Sequence, residues 1–379
     1  MKKVLLILYT IVFCSTIRCS LFLKDDEKST WENLPSCSSE PIFTHLPMDE
    51  ENILNFIPLG AYNPPGHIFP TDHHYFDKKM EKGVVDIYAA TDGWIISVSK
   101  VESTGWSTTQ YSLDLAPCNK IKIKYGHLTV LDPNILNQLG SKDGGEVYTT
   151  GGDTYEMSHY NTKIFVAAGD RIAQLLDIPD ASGIDFGSMD LRATPTFINP
   201  ARFGNFGYIN TVSLVNYATP QIKTILYNFI QFNNGTTPLR TMPPLEGQFA
   251  YDVPGTVQGL WFKPNTSTTP EDPHLALIKN PYNPNRSVFS MGTSVPGLTP
   301  QPYEFYPVNS GTQNRNFDGI TDLQIYTYTN FKGFWGEDIQ PGVVILIQKT
   351  PQGTLKIEKQ TITDGPPWSF TGNEVEFKR

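Results

Sequence analysis

The stretch GVVDIYAATDGWIISVSKVE, residues 83–102, sets the pattern for the chain between residues 53 and 215. Its apolar residues alternate or run over lengths typical of strands, and Gly, Asp and Thr interrupt them at turns. The stretches TQYSLDLAPCNKIKIKYGHLTVLD (109–132) and TKIFVAAGDRIAQLLDI (162–178) repeat this pattern. No window there keeps apolar residues at helical spacing for long, apart from a short helix expected in PNILNQLGS (133–141). The sequence therefore predicts a mainly β domain over residues 53–215.

The remainder of the 379-residue chain is long enough for a second domain with its own core. Residues 21–52 are polar and without a sustained period, so we interpret them as an N-terminal arm. Residues 216–247 end in Asn, Gly, Thr and Pro and are interpreted as a linker. Short apolar runs separated by turn residues follow, which predicts a second β domain, a sandwich or a barrel, over residues 248–379.

The first twenty residues, MKKVLLILYTIVFCSTIRCS, have the composition of a secretory signal peptide. Two lysines precede an apolar run that is too short for a comfortable membrane span, and small and polar residues follow. We therefore expect a secreted or periplasmic protein with no membrane span. A lipoprotein acylated at Cys14 or Cys19 is the disfavoured alternative, because the positions before these cysteines lack small residues.

Net charge and cysteine content limit the possible partners and predict one disulfide. Removal of residues 1–20 takes away three basic residues and no acid, so the net charge falls from −9 to −12. This balance argues against a nucleic-acid partner. Two cysteines remain, Cys37 and Cys118, and in an oxidising compartment we expect a disulfide between them rather than two buried free thiols.

Ligand-capable side chains crowd the stretch NPPGHIFPTDHHYF, residues 63–76. His67 and Asp72 have four residues between them on a loop stiffened by prolines, and His73 and His74 follow directly. On an extended chain these two histidines point to opposite sides, so one of them at most joins a common site. Zinc needs three or four N, O or S donors. The stretch is thus a candidate metal site, and a loop of hydrogen-bonded histidines is the alternative.

The segments after this loop occur in a distinctive order. They are VVDIYAATDGWIISV (84–98), IKIKYGHLTVLD (121–132), FVAAGDRIAQLL (165–176), GIDFG (183–187) and INPARF (198–203). This order resembles the lysostaphin-like zinc endopeptidases, which cut peptide bridges in bacterial cell walls. That family has a His-x-x-x-Asp pair, an Ala-Ala-x-x-Gly turn, a Tyr-x-His-Leu segment, a Val-x-x-Gly-x-x-Ile segment and a His-Leu-His-Phe-Glu segment. The resemblance covers roughly residues 55–205 and implies an antiparallel β-sandwich.

The resemblance also implies site residues. Tyr125-Gly126-His127-Leu128 fits the Tyr-x-His-Leu segment, which makes His127 the catalytic histidine. His67, Asp72 or His73, and Asp185 become the zinc ligands. Two departures concern the chemistry: the second catalytic histidine is replaced by Gly183, and the last zinc-binding histidine by Asp185, whose carboxylate is still able to bind zinc.

Two functions remain open from the sequence. One is a zinc-dependent hydrolase acting on cell-wall peptide through an altered site. The other is a non-catalytic protein that uses the same groove to bind a cell-envelope polymer or a partner protein. Other chemistries are excluded, since phosphate-binding Gly-rich loops, Cys-x-x-Cys and Gly-x-Ser-x-Gly motifs do not occur in the sequence.

Aromatic residues of the second domain allow two interpretations. Trp261, Phe262, Tyr303, Phe305 and Tyr306 are candidates for a platform that binds sugar rings. The same residues alternating on strands are also typical of a core, and we favour that interpretation.

Overall fold

The strands between residues 53 and 190 form two antiparallel sheets. The computed structural model describes residues 31–38, 42–150, 152–194, 196–203, 208–230, 240, 242–333 and 336–379, so the predicted signal peptide lies outside the described residues. The strands of this part are β1 Ile53–Ile57, β2 His73–Lys78, β3 Val85–Tyr88, β4 Gly93–Ser103, β5 Gln110–Ala116, β6 Ile121–Leu128, β7 Val130–Leu131, β8 Gly145–Thr150, β9 Asp153–Val166, β10 Arg171–Leu175 and β11 Gly183–Asp190. The larger sheet has the order β1-β2-β11-β6-β5-β4-β9-β8, and the smaller has the order β3-β10-β7.

Apolar side chains from both sheets share one core. Ile87 and Ala173 of the small sheet lie in the same buried cluster as Ile95, Ile123 and Phe186 of the large sheet. The alternation of apolar residues along these strands thus buries one face of each sheet against the other.

Helices are few in the described residues. The α-helices are α1 Pro133–Leu136 and α2 Pro220–Asn228, and the 3-10 helices are Glu50–Asn52, Met80–Lys82, Pro200–Phe203, Tyr208–Asn210, Leu214–Tyr217, Phe317–Gly319 and Ile362–Asp364. The short helix expected after Asp132 is confirmed: the Asp132 side chain accepts a hydrogen bond from the Asn134 N–H, and Pro133 occupies the first turn. Helix α2 lies in the stretch interpreted as a linker, where Ile222 and Leu226 are buried in the first core.

Residues 144–161, a glycine-rich stretch whose composition is also typical of loops, form a β-hairpin. Strands β8 and β9 pair from Gly145 opposite Ser158 to Thr150 opposite Asp153. The polar and aromatic residues between the glycines alternate well enough to extend the large sheet by one strand.

The C-terminal part contains two further four-stranded antiparallel sheets. Their strands are β12 Gly259–Trp261, β13 Leu275–Lys279, β14 Ser287–Met291, β15 Gln301–Phe305, β16 Tyr326–Tyr328, β17 Val343–Lys349, β18 Leu355–Thr361 and β19 Val375–Phe377. The sheet orders are β12-β13-β14-β15 and β16-β17-β18-β19, and neither sheet closes into a barrel. One buried cluster contains Leu277 and Phe289 of the first sheet and Ile345 and Ile357 of the second. The mainly β prediction is confirmed, and of the two alternatives for this part the closed barrel is wrong.

The aromatic residues of this part belong mostly to its core. Trp261, Phe262, Tyr303 and Phe305 are at most 4% exposed, whereas Tyr306 is 57% exposed. A flat platform for sugar rings is therefore not formed by these residues, and their alternation on strands reflects packing.

A third buried cluster joins the two halves of the molecule. Phe69 of the histidine-rich stretch packs against Phe262, with ring centroids 5.1 Å apart. The hydroxyl of Tyr62 donates to Oε1 of the buried Glu304 at 2.6 Å. Residues before 215 and after 248 therefore share packing, while the domain boundaries themselves stay predictions.

The N-terminal arm packs on the large sheet. Cys37 and Cys118 are joined by a disulfide, which confirms that prediction. The indole N–H of the buried Trp31 donates to the Cys118 carbonyl at 2.8 Å. Among the described residues no helix is long and apolar enough to cross a membrane.

Candidate functional site

Three adjacent strands bring the predicted site residues together. Strand β11 lies between β2 and β6, with Asp185 opposite Tyr75 and Phe186 opposite Tyr125. Since side chains on a strand alternate, His73 of β2 and Asp185 of β11 lie on the same face of the sheet. His127, near the end of β6, reaches the same place.

Asp72, His73, Asp185, His127 and Gln110 form one row of contacts, which we call the Asp185 cluster. Nδ1 of His73 lies 2.7 Å from Oδ1 of Asp72, and its Nε2 lies 3.5 Å from Oδ1 of Asp185. The other Asp185 oxygen, Oδ2, lies 3.4 Å from Nε2 of His127. Nδ1 of His127 in turn lies 2.6 Å from Oε1 of Gln110. Two imidazoles thus present Nε2 to the two oxygens of one carboxylate.

The outer contacts of the row fix which ring nitrogens carry protons. The amide Nε2 of Gln110 donates to the Asp180 carbonyl at 3.1 Å, so its Oε1 is the acceptor and Nδ1–H of His127 donates to it. Asp72 likewise accepts from Nδ1–H of His73. Such partners orient a histidine and leave its Nε2 to face the centre of a site.

Two neighbouring carboxylates raise the pKa of His73. Burial alone would lower the pKa of His73, but the charge of Asp185 and the hydrogen bond that His73 donates to Asp72 raise it above its ordinary value. Burial would raise the pKa of Asp185, yet the charges of His127 and His73 lower it. Burial would raise the pKa of Asp72 as well, but its hydrogen bond with His73 and the charges of His73, Lys124 and His67 together lower it. The two carboxylates therefore both favour the protonated form of His73.

A β-bulge aims His127 at Asp185. Strand β5 pairs Tyr111 with Leu128 and Leu113 with Tyr125, so two residues of β6 lie opposite one residue of β5. His127 is one of the two and has a φ of 59°, a left-handed conformation that non-glycine residues adopt rarely. Bulges and such conformations recur where a strand has to redirect a side chain at a site.

Gly126, the other bulge residue, leaves room for the carboxylate. A Cβ at this position would lie 2.9 Å from Oδ2 of Asp185, closer than a Cβ comes to a nonbonded atom. The Tyr-Gly-His sequence therefore serves both partners: glycine makes space for Asp185, and the bulge presents His127 to it.

His67 lies at the exposed edge of the Asp185 cluster. Its ring centroid is 6.0 Å from that of His73, and within the described part of the chain no hydrogen bond joins its side chain to Asp72. Although solvent reaches the ring, desolvation by the surrounding protein and the charge of His73 lower its pKa to about 4. His67 and Asp72 were predicted as a local ligand pair. In the structure each of them lies next to His73 rather than next to the other.

A metal does not fit the side chains as they are arranged. Nε2 of His73 and Oδ1 of Asp185 are buried without a hydrogen-bond partner. In the part of the chain that the structure describes, however, no three His, Cys, Asp or Glu side chains converge so that they could hold a metal ion. The assignment of His67, Asp72, His73 and Asp185 as zinc ligands stays a prediction.

The remaining histidines near the site have structural roles. His74 points to the opposite side of β2 from His73: its ring stacks on Phe56, and its Nε2 lies 2.9 Å from the Ser213 hydroxyl. His159 lies on β9, where its Nδ1 is 2.9 Å from the Ser99 hydroxyl. Neither histidine therefore occupies the position of the second catalytic histidine, which the resemblance aligns with Gly183.

Sequence reasoning missed several contributors. Gln110 lies seventeen residues before His127 and has no motif of its own. Trp106, whose ring centroid is 5.5 Å from that of His127, is reached through a turn. One signal was present: the family's His-x-x-x-Asp spacing occurs at His73 and Asp77. Asp77 lies on the His73 face of β2 and accepts a hydrogen bond from Asn55 at 3.0 Å, and burial raises its pKa to about 6.

Comparisons with known proteins find partial likeness to solved structures. No protein-family model and no curated protein matches the sequence. The chain is similar to one from the SpoIIQ-SpoIIIAH pore forming complex, at 11% identity and a TM-score of 0.25, over 41% of this chain and 86% of that one. It is also similar to a zinc containing peptidase from Vibrio cholerae, at 17% identity and a TM-score of 0.24, over 40% of this chain and 38% of that one. At such scores neither likeness bears on what the protein does.

Proposed function

We propose that the protein is an exported, lysostaphin-like β protein that binds cell-wall peptide or a related cell-envelope polymer without cleaving it. The observation that supports this best is the state of Asp185. Its carboxylate lies between His73 and His127, where a zinc enzyme would need a ligand pointing at a metal, and no third ligand converges with it among the described side chains. The Asp185 cluster keeps the polar side chains of a site, and its carboxylates are paired with its own histidines.

The surroundings of Gly183 support the loss of catalysis. A Cβ at Gly183 would lie 2.5 Å from the Phe76 carbonyl oxygen, so a side chain there would displace strand β2. The second catalytic histidine implied by the resemblance therefore has no room in this backbone. Each group that orients the water or stabilises the oxyanion contributes on the order of a hundredfold in rate.

The groups that remain exposed near the cluster are suited to binding. His67 lies at its edge, and the side chains of His127 and Trp106 are partly exposed. The charge of Lys124 acts on His67, Asp72, His73 and Asp185 alike. Hydrogen-bonding imidazoles, an ammonium and an indole ring are chemically suited to the amides and carboxylates of a cell-wall peptide.

One observation favours a second candidate, a zinc-dependent hydrolase with an altered ligand set. Nε2 of His73 and Oδ1 of Asp185 are buried without hydrogen-bond partners, and each is a good zinc donor. A third donor, from His67 or His127, would have to move towards them. Metal binding would then displace the proton from His73.

Two measurements on the purified protein separate the candidates. We expect mass spectrometry after incubation with zinc to find no stoichiometric metal in either the natural protein or an Asp185→Ala variant. About one zinc per chain, lost in the variant, would instead support the hydrolase.

The binding proposal is tested by co-sedimentation with purified peptidoglycan. We expect the natural protein to sediment with it, a His127→Ala variant to sediment less, and no soluble peptide to be released. An exposed carboxylate on the last strand, changed by Glu376→Gln, serves as the control. Equal sedimentation of all three proteins would contradict the use of this groove.

A further inference from the structure

A cavity of about 230 Å³ lies away from the Asp185 cluster and is lined by cationic side chains. Its wall contains Asn199 and Arg202 from the first half of the chain, and Phe262, Lys263, Lys378 and Arg379 from the second. Four cations around one small cavity stand out in a chain whose net charge is −9. Ligand sites often occur where two packed units meet, and this cavity is smaller than those that hold drug-sized molecules.

The backbone brings these cations together from distant parts of the sequence. Phe262 and Lys378 exchange backbone hydrogen bonds of 2.8 and 2.9 Å, which puts Lys263 and Arg379 beside that pair. Arg202 belongs to the 3-10 helix Pro200–Phe203, and its guanidinium lies 4.5 Å from the centre of the Phe262 ring. The aromatic ring thus holds Arg202 over the cavity wall by a cation–π contact.

Several of the donors on these arginines have no partner. Nε and Nη2 of Arg202, the edge of the guanidinium that binds a carboxylate or phosphate through two parallel hydrogen bonds, have none among the described residues. Nε of Arg379 is also without one, while its two terminal nitrogens donate to the carbonyls of Thr256 and Gln258. Buried donors of this kind are costly unless an acceptor is supplied.

The charges of the cavity are not neutralised by nearby acids. No described carboxylate forms an ion pair with Arg202, Lys263 or Lys378, and Asp252 acts on Arg379 only at longer range. Burial lowers the pKa of Arg202, with no carboxylate to oppose the shift. Burial likewise lowers the pKa of Arg379 to about 10, so both side chains stay cationic at neutral pH.

We propose that this cavity is a binding site for a phosphate-type oxyanion, held between Arg202 and the cations Lys263, Lys378 and Arg379. A tetrahedral oxyanion has enough acceptor oxygens to bond the guanidinium of Arg202 and the ammonium groups of Lys263 and Lys378 together. Its bound charge would tie the segment around residue 200 to the C-terminal sheets. The site is separate from the Asp185 cluster and does not depend on the function proposed for that cluster.

The first test is calorimetric titration of the full chain with inorganic phosphate. We expect binding that weakens with added salt, and we expect Lys378→Gln and Arg202→Gln each to weaken it about tenfold, as for one lost charge-assisted hydrogen bond. Lys378 is exposed, so its replacement leaves the fold intact even if Arg202→Gln does not. The exposed Lys142, changed by Lys142→Gln, is the matched control and should bind like the natural protein.

The outcomes separate clearly. No binding of phosphate at millimolar concentration, or equal binding by the natural protein, Lys378→Gln and Lys142→Gln, would overturn the proposal. If phosphate binds as expected, glycerol phosphate and vesicles containing phosphatidylglycerol identify the source of the group. Dependence on Lys378 with glycerol phosphate alone indicates a soluble or polymer phosphate ester, and dependence with the vesicles indicates a lipid headgroup.

Discussion

Nε2 of His73 lies 3.5 Å from Oδ1 of Asp185, and neither atom has a hydrogen-bond partner in the described part of the chain. The pair is stabilised by charge rather than by a short hydrogen bond, because Asp72 holds the other side of the His73 ring at 2.7 Å. The pKa of His73 therefore depends directly on the charge of Asp185.

Replacing Asp185 by Asn should therefore lower the pKa of His73. The Asp185 charge is the strongest of the effects that raise this pKa, and burial, which lowers it, would remain. NMR titration of the His73 imidazole in the natural protein and in Asp185→Asn measures the change. A His73 pKa that is the same in both proteins would show that the two side chains are not coupled.

The same contact predicts a pH window for stability. Folding raises the pKa of His73, so the stability that this residue contributes is fully present below its unfolded pKa of about 6.5. That stability is lost as pH rises through the folded pKa. Folding lowers the pKa of Asp185, so its contribution is complete above about 3.8 and is lost as pH falls through the folded value. The stability lost in Asp185→Asn should thus be greatest between these pH values, as measured by urea unfolding. Glu376→Gln is the control and should lose little at any pH.

Gly183→Ala should destabilise the protein by about 1–3 kcal/mol, the usual cost of forcing an extra methyl into packed structure. The new Cβ would meet the Phe76 carbonyl at 2.5 Å. Gly140→Ala is the matched control, since its Cβ would find its nearest atom 3.9 Å away. Chemical denaturation of both variants measures the difference, and equal stability would show that β2 yields easily at this point.

His74 should make the fold sensitive to mild acid. It is buried, and desolvation lowers its pKa to about 3, whereas the unfolded chain takes up a proton near 6.5. The free energy of unfolding should therefore fall by about 2 kcal/mol between about pH 7.5 and pH 5 through this residue. A His74→Leu variant should lack this part of the loss. The half-buried His45, changed by His45→Leu, should retain it.

Glu271→Gln should gain stability relative to the natural protein as pH rises. Burial raises the pKa of Glu271 to about 8, while Phe69 N–H donates to its Oε2 at 2.8 Å. The folded state holds a proton that the unfolded chain releases near 4.5, so stability is lost between about pH 4.5 and pH 8. The neutral amide keeps an acceptor for Phe69 and avoids that loss. Thermal unfolding at several pH values checks this, with the exposed Glu81→Gln as control.

Much of the fold was predictable from local patterns. Alternation along residues 83–102 and 109–132 predicted strands, and Asp132-Pro133 predicted the start of α1. The hairpin at 144–161 was not predicted, because its glycines and polar residues are also typical of loops. Whether the C-terminal sheets close into a barrel depends on long-range packing, which the local periodicity of apolar residues does not determine.

The structure brings the candidate residues His73, His127 and Asp185 together, whereas the contacts that connect them were less predictable. His127 and Asp185 follow from a motif, and alternation separates His73 from His74. The bulge that turns His127 towards Asp185 is not visible in the sequence, since it depends on which residue of β5 lies opposite. Likewise Gln110 becomes a partner of His127 only through the pairing of β5 with β6.

Phe69 packs against Phe262 while its backbone N–H is held by Glu271, and both partners belong to the C-terminal half. The segment that carries His67 and Asp72 thus has its foundation in a part of the chain that supplies no side chain to the Asp185 cluster. A fragment ending at the predicted linker would remove the packing of Phe262 and the hydrogen bond to Glu271 that support this segment. Deleting the C-terminal half should consequently have the same effect on function as point mutations in the Asp185 cluster. The C-terminal half would then appear functional in a truncation experiment, although it acts by supporting the segment that carries His67 and Asp72.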